Sequence, residues 1–544
     1  MKLNMKRAIC KTGLLLAQVA AVALLGATAH AAAPGIAGPS FDLTAQSAYL
    51  TQPDGQAVYS WGYGCRVAPA NGYLPTAVKG AFCNTMQVPG PTLIVNEGDS
   101  VSVTLTNNLP AAAGNTSILF PGFQVQSSGG VQGLLTKEAT PGGSVTYTFS
   151  ASSPGTRSYY SGTQSDLQVE MGLYGVIIVL PKKQYSGNPD GQPAATTAHC
   201  INDLQDSNAT ARATVHPGQS DAESDFRLAT SAYDNPYTCY DREYLFQFSE
   251  IDPRIHLQAE AQVNARKGCT AGQQGCSLDV ATEPYHPAYF MINGRSMPDD
   301  MDPNYSPQYP HQPYNGNPHM HPGEQVLLRI VGQGRWQHPF HEHANHVRIL
   351  ARDGNLILTS DGAGLAGPAL FTTTTTPGLA MDGIFYYTGR GLNWDMYAHN
   401  PASKDPNATL ACTPDANGYN TGDPTALNYY EWCQDHNKPL ETAPTGDVAS
   451  GGPVTLPDPN ILTNGAWYGG SPYLGPDATG RSVGQTGTTP PSGTIANSPS
   501  GEAGFAFMWH SHNEREITTN NIFPGGMMMM MLVDSREFSI DESN

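Results

Sequence analysis

The sequence predicts an all-β protein built from two β-sandwich domains, the second interrupted by a long insertion. Three observations lead there. Gly 58 and Pro 44 together make up about a fifth of the 544 residues, which favours turns and short strands over long helices. Charged residues are only 13%, about half the share usual in soluble proteins, so a charged coiled coil or helical bundle is excluded as the main architecture. Alternating apolar and polar runs bounded by Gly, Pro, Asn and Asp recur along both halves of the chain, the signature of half-buried strands. Hydrophobic content of 39% is sufficient for sizeable cores at this length.

The chain opens with Lys2, Lys6, Arg7 and Lys11, then an apolar run from Gly13 to Ala27, then Ala29-His30-Ala31. A basic start, a short apolar stretch and a small-x-small site predict a secretory signal peptide over 1–31, and the run is too short for a membrane span. Its removal would move the net charge from −19 to −23, since it carries four basic residues and no acidic one. So acidic a chain is a poor partner for nucleic acid or anionic membrane and a tolerant host for cations. The predicted location is exported: periplasmic, cell-surface or extracellular. No membrane span is expected after cleavage.

A first sandwich is predicted over 41–181. Within it, 86–110 reads as an apolar run, a Gly-Asp turn, an alternating strand and an Asn-Asn-Leu-Pro turn, and 141–149 repeats turn then strand. Residues 172–180, GLYGVIIVL, predict a strand buried on both faces. A polar connection follows over 182–240. The second sandwich is predicted over 241–535, with strands near 243–249, 289–292, 326–330, 347–350, 355–358 and 377–387. Strand patterning fades across 391–501, read as the insertion, and returns at 504–510 and 527–533.

In an oxidising compartment the eight cysteines after the leader, Cys65, Cys83, Cys200, Cys239, Cys269, Cys276, Cys412 and Cys433, suggest four disulfides. Neighbour pairing would join 65 to 83, 200 to 239, 269 to 276 and 412 to 433. Sequence does not establish that connectivity. A zinc ribbon is disfavoured because no C-x2-C pair exists.

Two histidine clusters carry the chemistry: His338-Pro339-Phe340-His341-Glu342-His343 and Trp509-His510-Ser511-His512-Asn513-Glu514-Arg515-Glu516. On a strand, residues two apart share a face. His341 and His343 therefore point together, as do His510 and His512, and two such strands side by side would converge four imidazoles. Nitrogen ligands of that kind suit copper, favoured by intrinsic affinity, with zinc as the alternative. One His-x-His pair is weak evidence, since two histidines can be polar residues on a strand face. Two pairs in one predicted sheet are much stronger.

With these motifs the sequence resembles the multicopper oxidases, the laccase-like family of cupredoxin repeats. Residues 89–107 resemble the family's first-domain opening. Residues 155–179 resemble its second-motif region and closing strand. His338, His341 and His343 resemble its third motif, and His510-Ser511-His512 its fourth. The resemblance implies two cupredoxin-like Greek-key sandwiches and a copper cofactor. It also shows departures. The first motif falls on Leu119-Phe120-Pro121-Gly122 and the second on Tyr160-Ser161-Gly162, so the first-domain ligands are absent. At the family's blue-copper position, His338 matches one ligand and Met527 or a neighbour the axial one. Ser511 stands where a thiolate is needed and Glu516 where a second histidine belongs. A hydroxyl cannot replace a copper–thiolate bond.

The expectation is therefore one copper rather than four, held by His341, His343, His510 and His512. His338, Glu516 and Met527 stand as additional ligands or supporting residues. Glu342, Glu514 and Glu516 read either as partners that orient imidazoles or as solvated charges. Met527 to Met531 read as a closing strand rather than a soft metal site, and His319-Met320-His321 as an exposed turn segment rather than a copper-capture site. Asn115, Asn208 and Asn407 open N-x-[ST] sequons. If active, the protein would act on a small molecule or metal ion as an oxidoreductase. The competing class is a non-enzymatic extracellular module whose histidine centre is a structural staple.

Overall fold

A computed structural model describes residues 33–75, 83, 86–182, 227–320, 324–362, 364–386, 410–414, 421–423, 471–472, 505–533 and 540. The leader at 1–31, most of the insertion at 391–501 and the sequons at Asn208 and Asn407 lie outside these residues.

The first sandwich contains β1 (Gly35–Ala37), β2 (Ser40–Thr51), β3 (Ala57–Cys65), β4 (Tyr73–Leu74), β5 (Leu93–Asn96), β6 (Ser100–Asn107) and β7 (Gln126–Gly129). After a small hairpin of β8 (Val131–Gln132) and β9 (Lys137–Glu138) come β10 (Ser144–Ser150), β11 (Gly155–Tyr160) and β12 (Tyr174–Leu180). One sheet runs β11-β12-β5-β1-β4 and the other β3-β2-β6-β10-β7. Strand β6 shows why they stack: Val101, Val103 and Leu105 are buried while the residues between them are partly exposed, the alternation of a sheet with one wet face.

The second sandwich contains β13 (Arg242–Ile251), β14 (Tyr289–Ile292), β15 (His319–Met320), β16 (Gln325–Gly332), β17 (His338–Glu342), β18 (Val347–Arg352) and β19 (Asn355–Leu356). It continues through β20 (Ala369–Leu370), β21 (Thr372–Thr375), β22 (Ala380–Tyr386), β23 (Ser471–Pro472), β24 (Phe505–Ser511) and β25 (Met528–Val533). One sheet follows β14-β13-β16-β22-β18-β19, the other β15-β25-β24-β17-β21. Phe246, Phe248, Leu328 and Ile330 of the first meet Phe340, Trp509, Met529 and Met531 of the second in a single core. The methionine run thus closes the sheet, with Met527 wholly buried beside it.

Strand β12 explains the uninterrupted apolar run of the sequence. Ile177 and Val179 enter the first core, whereas Val176 and Ile178 pack with Leu245, Val331 and Ala380 of the second sandwich. A strand facing apolar neighbours on both sides has no polar alternation. Polar contacts reinforce this interface. Ser158 Oγ donates to Gln333 Oε1 at 2.8 Å, and Tyr174 OH to Ser249 Oγ at 2.8 Å.

Two features depart from the strand-based reading. A helix occupies Pro253–Ala265, started by Asp252, whose side chain accepts from Arg254 N, with Pro at the first turn. That is a standard start signal, and it stands in the sequence as Asp252-Pro253. Ile255, His256 and Ala259 are the helix's buried face. The second departure is His319-Met320, which is a buried strand paired with Leu532 and Val533 rather than an exposed turn; His321 lies outside the described residues. Disulfides join Cys65 to Cys83 and Cys269 to Cys276, with Cα separations of 5.2 and 5.6 Å. Cys239 and Cys412 are also disulfide-bonded, while Cys200 and Cys433 lie outside the described residues. Among the described residues no helix is long and apolar enough to cross a membrane.

Candidate metal centre

Strands β17 and β24 pair antiparallel, with His341 opposite His510, Phe340 opposite Ser511 and Glu342 opposite Trp509. This register sets both His-x-His pairs on the same face. His512 N donates to Pro339 O at 2.8 Å, and Trp509 Nε1 donates to His343 O at 2.9 Å. These two bonds hold the chain where it leaves each strand.

The rings gather closely. His341 lies with its centroid 4.9 Å from His343, 5.5 Å from His510 and 4.8 Å from His512. One ligand atom each from His341, His343 and His510 lies within 4.8 Å of the others. His512 is exposed and falls outside that set of three. The predicted four-histidine set is therefore a compact trio with the fourth ring alongside.

Tautomers follow from the neighbours. His510 Nδ1 is 2.8 Å from Ser511 O; a carbonyl only accepts, so the proton sits on Nδ1 and Nε2 carries a lone pair. His341 Nδ1 is 2.7 Å from Thr372 Oγ1, which lets its Nε2 serve as the metal-facing atom. His343 Nε2 is 3.2 Å from His510 Nε2. With the His510 Nε2 lone pair as acceptor, His343 Nε2 is the donor of this pair, and a bound metal ion would take the place of that proton. Burial, followed by the neighbouring histidines, pushes His341 and His343 down to about 4 and lowers His510 as well. The rings are thus neutral and able to donate electron pairs at neutral pH. Thr372 and Phe371 were not singled out in the sequence. The Thr-rich run after Phe371 signals a strand, but not which strand it joins. Phe371 is 54% exposed and its ring stands 5.7 Å from that of His341.

The other predicted site residues lie elsewhere. His338 is wholly buried, with Nδ1 2.9 Å from Glu516 Oε2 and Nε2 2.9 Å from Glu250 Oε2. Both ring nitrogens are engaged by carboxylates, which leaves none for a metal. Glu342 points into the core and accepts from Thr373 Oγ1 at 2.8 Å; burial drives its carboxyl well above the usual range. It is neither an imidazole partner nor a solvated charge. Glu514 is exposed. In the first domain, Leu119 forms an isolated antiparallel bridge with Tyr160 at the end of β11. A Cβ placed on Gly162 would come within 2.7 Å of the Leu119 side chain, so an apolar contact fills this region.

Residues 73–184 match the family model described as multicopper oxidase. "Multicopper oxidase MCE" of Talaromyces pinophilus is 39% identical over 100 residues, 18% of this chain and 16% of its own. "Laccase 1" of Metarhizium acridum (strain CQMa 102) is 38% identical over 104 residues, 19% of this chain and 16% of its own. The match thus spans about one sixth of these relatives' length. Among solved structures, the blue copper oxidase from Nitrosomonas europaea aligns over 93% of this chain and 90% of its own at 14% identity, with a TM-score of 0.42. The similarity of this chain to the multicopper oxidase family thus lies in its first-domain segment.

Proposed function

We propose that this chain is an exported copper protein with a single mononuclear centre held by His341, His343 and His510, with His512 as a flanking ligand. The observation that carries the reading is the convergence of three imidazole ligand atoms within 4.8 Å. Nitrogen donors favour copper over zinc on intrinsic affinity. Three protein ligands leave a coordination position for a small molecule or metal ion, so the centre supports oxidoreductase chemistry. The domain division at 41–181 and 241–535 belongs to the same reading. Export is supported by the leader pattern over 1–31 and by the disulfides, which persist in oxidising compartments.

The test is metal analysis of the full chain produced with copper, beside His341→Ala/His510→Ala. About one copper per chain, lost in the double variant, is the expected result. Tight copper that survives the double substitution overturns the centre. Copper that binds without any redox turnover of small-molecule donors favours the structural module instead.

A further inference from the structure

On β24, Ser511 faces away from His510 and His512, as strand geometry requires. Its hydroxyl donates to Glu516 Oε2 at 2.5 Å. Glu516 also receives Asn513 Nδ2 on Oε1 at 3.0 Å and faces His338 Nδ1 at 2.9 Å. On its far side His338 faces Glu250. Glu250 Oε1 accepts from Arg335 N at 2.7 Å, Trp336 N at 2.9 Å and Tyr285 OH at 3.1 Å. The single Tyr285 hydroxyl proton is shared with Glu170 Oε2, the nearer acceptor at 2.6 Å, across the domain boundary. Glu170, Tyr285, Glu250, His338, Ser511 and Glu516 are all buried.

This is the position that the family resemblance would assign to a blue copper, and its residues do not fit one. A soft copper site needs a thiolate and a neutral imidazole with a lone pair aimed at the metal. Here the hydroxyl, both ring nitrogens and both carboxylates already satisfy one another. A buried ring with a carboxylate oxygen at each nitrogen is an imidazolium, because neither carboxylate can donate to it.

We infer that His338, Ser511 and Glu516 form a closed ion cluster that rejects metal and, through Glu250 and Tyr285, ties the second sandwich to the first domain. The cluster also reaches the histidine trio. The residue whose hydroxyl binds Glu516 is the one whose carbonyl fixes the tautomer of His510. Ser511 is thus a positioning residue that belongs to both. The metal rejection stands apart from the copper centre proposed above, since it concerns different side chains.

The test uses the full-length wild-type chain labelled with ¹⁵N at histidine and titrated at pH 7 with Zn(II), a diamagnetic ion that accepts imidazole ligands, to two equivalents. The expected spectrum contains one ring with both nitrogens protonated, unchanged across the titration. Glu516→Gln should move that ring's signals most, which assigns them to His338. Absence of a doubly protonated ring overturns the inference, as does loss of one of its protons when Zn(II) is added. The rings of His341, His343 and His510 report separately on the copper centre, so either reading can fail without the other.

Discussion

Nε2 of His343 lies 3.2 Å from Nε2 of His510, across 167 residues of sequence. Two imidazoles this close cannot both hold a proton on the facing atoms, and burial makes a second charge there more costly. With His341 and His343 lowered to about 4, protons compete poorly for the rings above that pH. Copper affinity should therefore change little between pH 7 and pH 5 and fall steeply as pH drops through 4. Competition titrations with a chelator of known affinity would show this; a steep loss already near pH 6.5 would contradict it.

Thr372→Val removes the hydroxyl 2.7 Å from His341 Nδ1 while keeping the branched shape. Partners of that kind orient a ligand ring, and their loss costs about 10–100-fold in metal affinity. We expect weakening in that range with unchanged thermal stability. The pair of measurements separates ring orientation from a general loss of fold.

His338 carries a pH signature of its own. Burial opposes its charge, but hydrogen bonds and charge from Glu250 and Glu516 prevail and raise it to about 9. Its ring nitrogens face Glu516 and Glu250, which in turn accept from Ser511 and Asn513 and from Tyr285 respectively. A raised histidine contributes stability that is fully present below about 6.5 and is lost as pH rises through 9. The unfolding midpoint of the wild-type chain should fall between pH 7 and 9.5. Glu516→Gln should start lower and fall less over the same interval.

Asp382 sits at the domain interface. Its Oδ1 accepts from Thr156 Oγ1 at 2.6 Å and its Oδ2 from Thr156 N at 3.1 Å. Tyr233 OH also donates to it, and Arg329 Nη1 lies 3.8 Å away. Asp382→Ala would leave a buried arginine short of charge and two hydroxyls without an acceptor. The expected cost is about 3–5 kcal/mol in denaturant unfolding. A change below about 1 kcal/mol would mean that the interface re-forms around Arg329 and Glu243.

The sequence by itself determined what depends on local backbone geometry. The period of two along a strand put His341 with His343 and His510 with His512, and it set Val101, Val103 and Leu105 on one face of β6. It also made GLYGVIIVL legible as a strand covered on both sides. The helix at 253–265 was equally local, since Asp252-Pro253 announces it; strand patterning alone passed over it. Tertiary structure decided the rest, because register and distant partners are set by how whole sheets pack. Only the pairing of β17 with β24 places His341 opposite His510. Only the fold brings Glu250, 88 residues away, to the second nitrogen of His338. That contact turns a residue with the appearance of a metal ligand into a buried cation, because a ring nitrogen facing a carboxylate keeps its proton and has no lone pair left to offer.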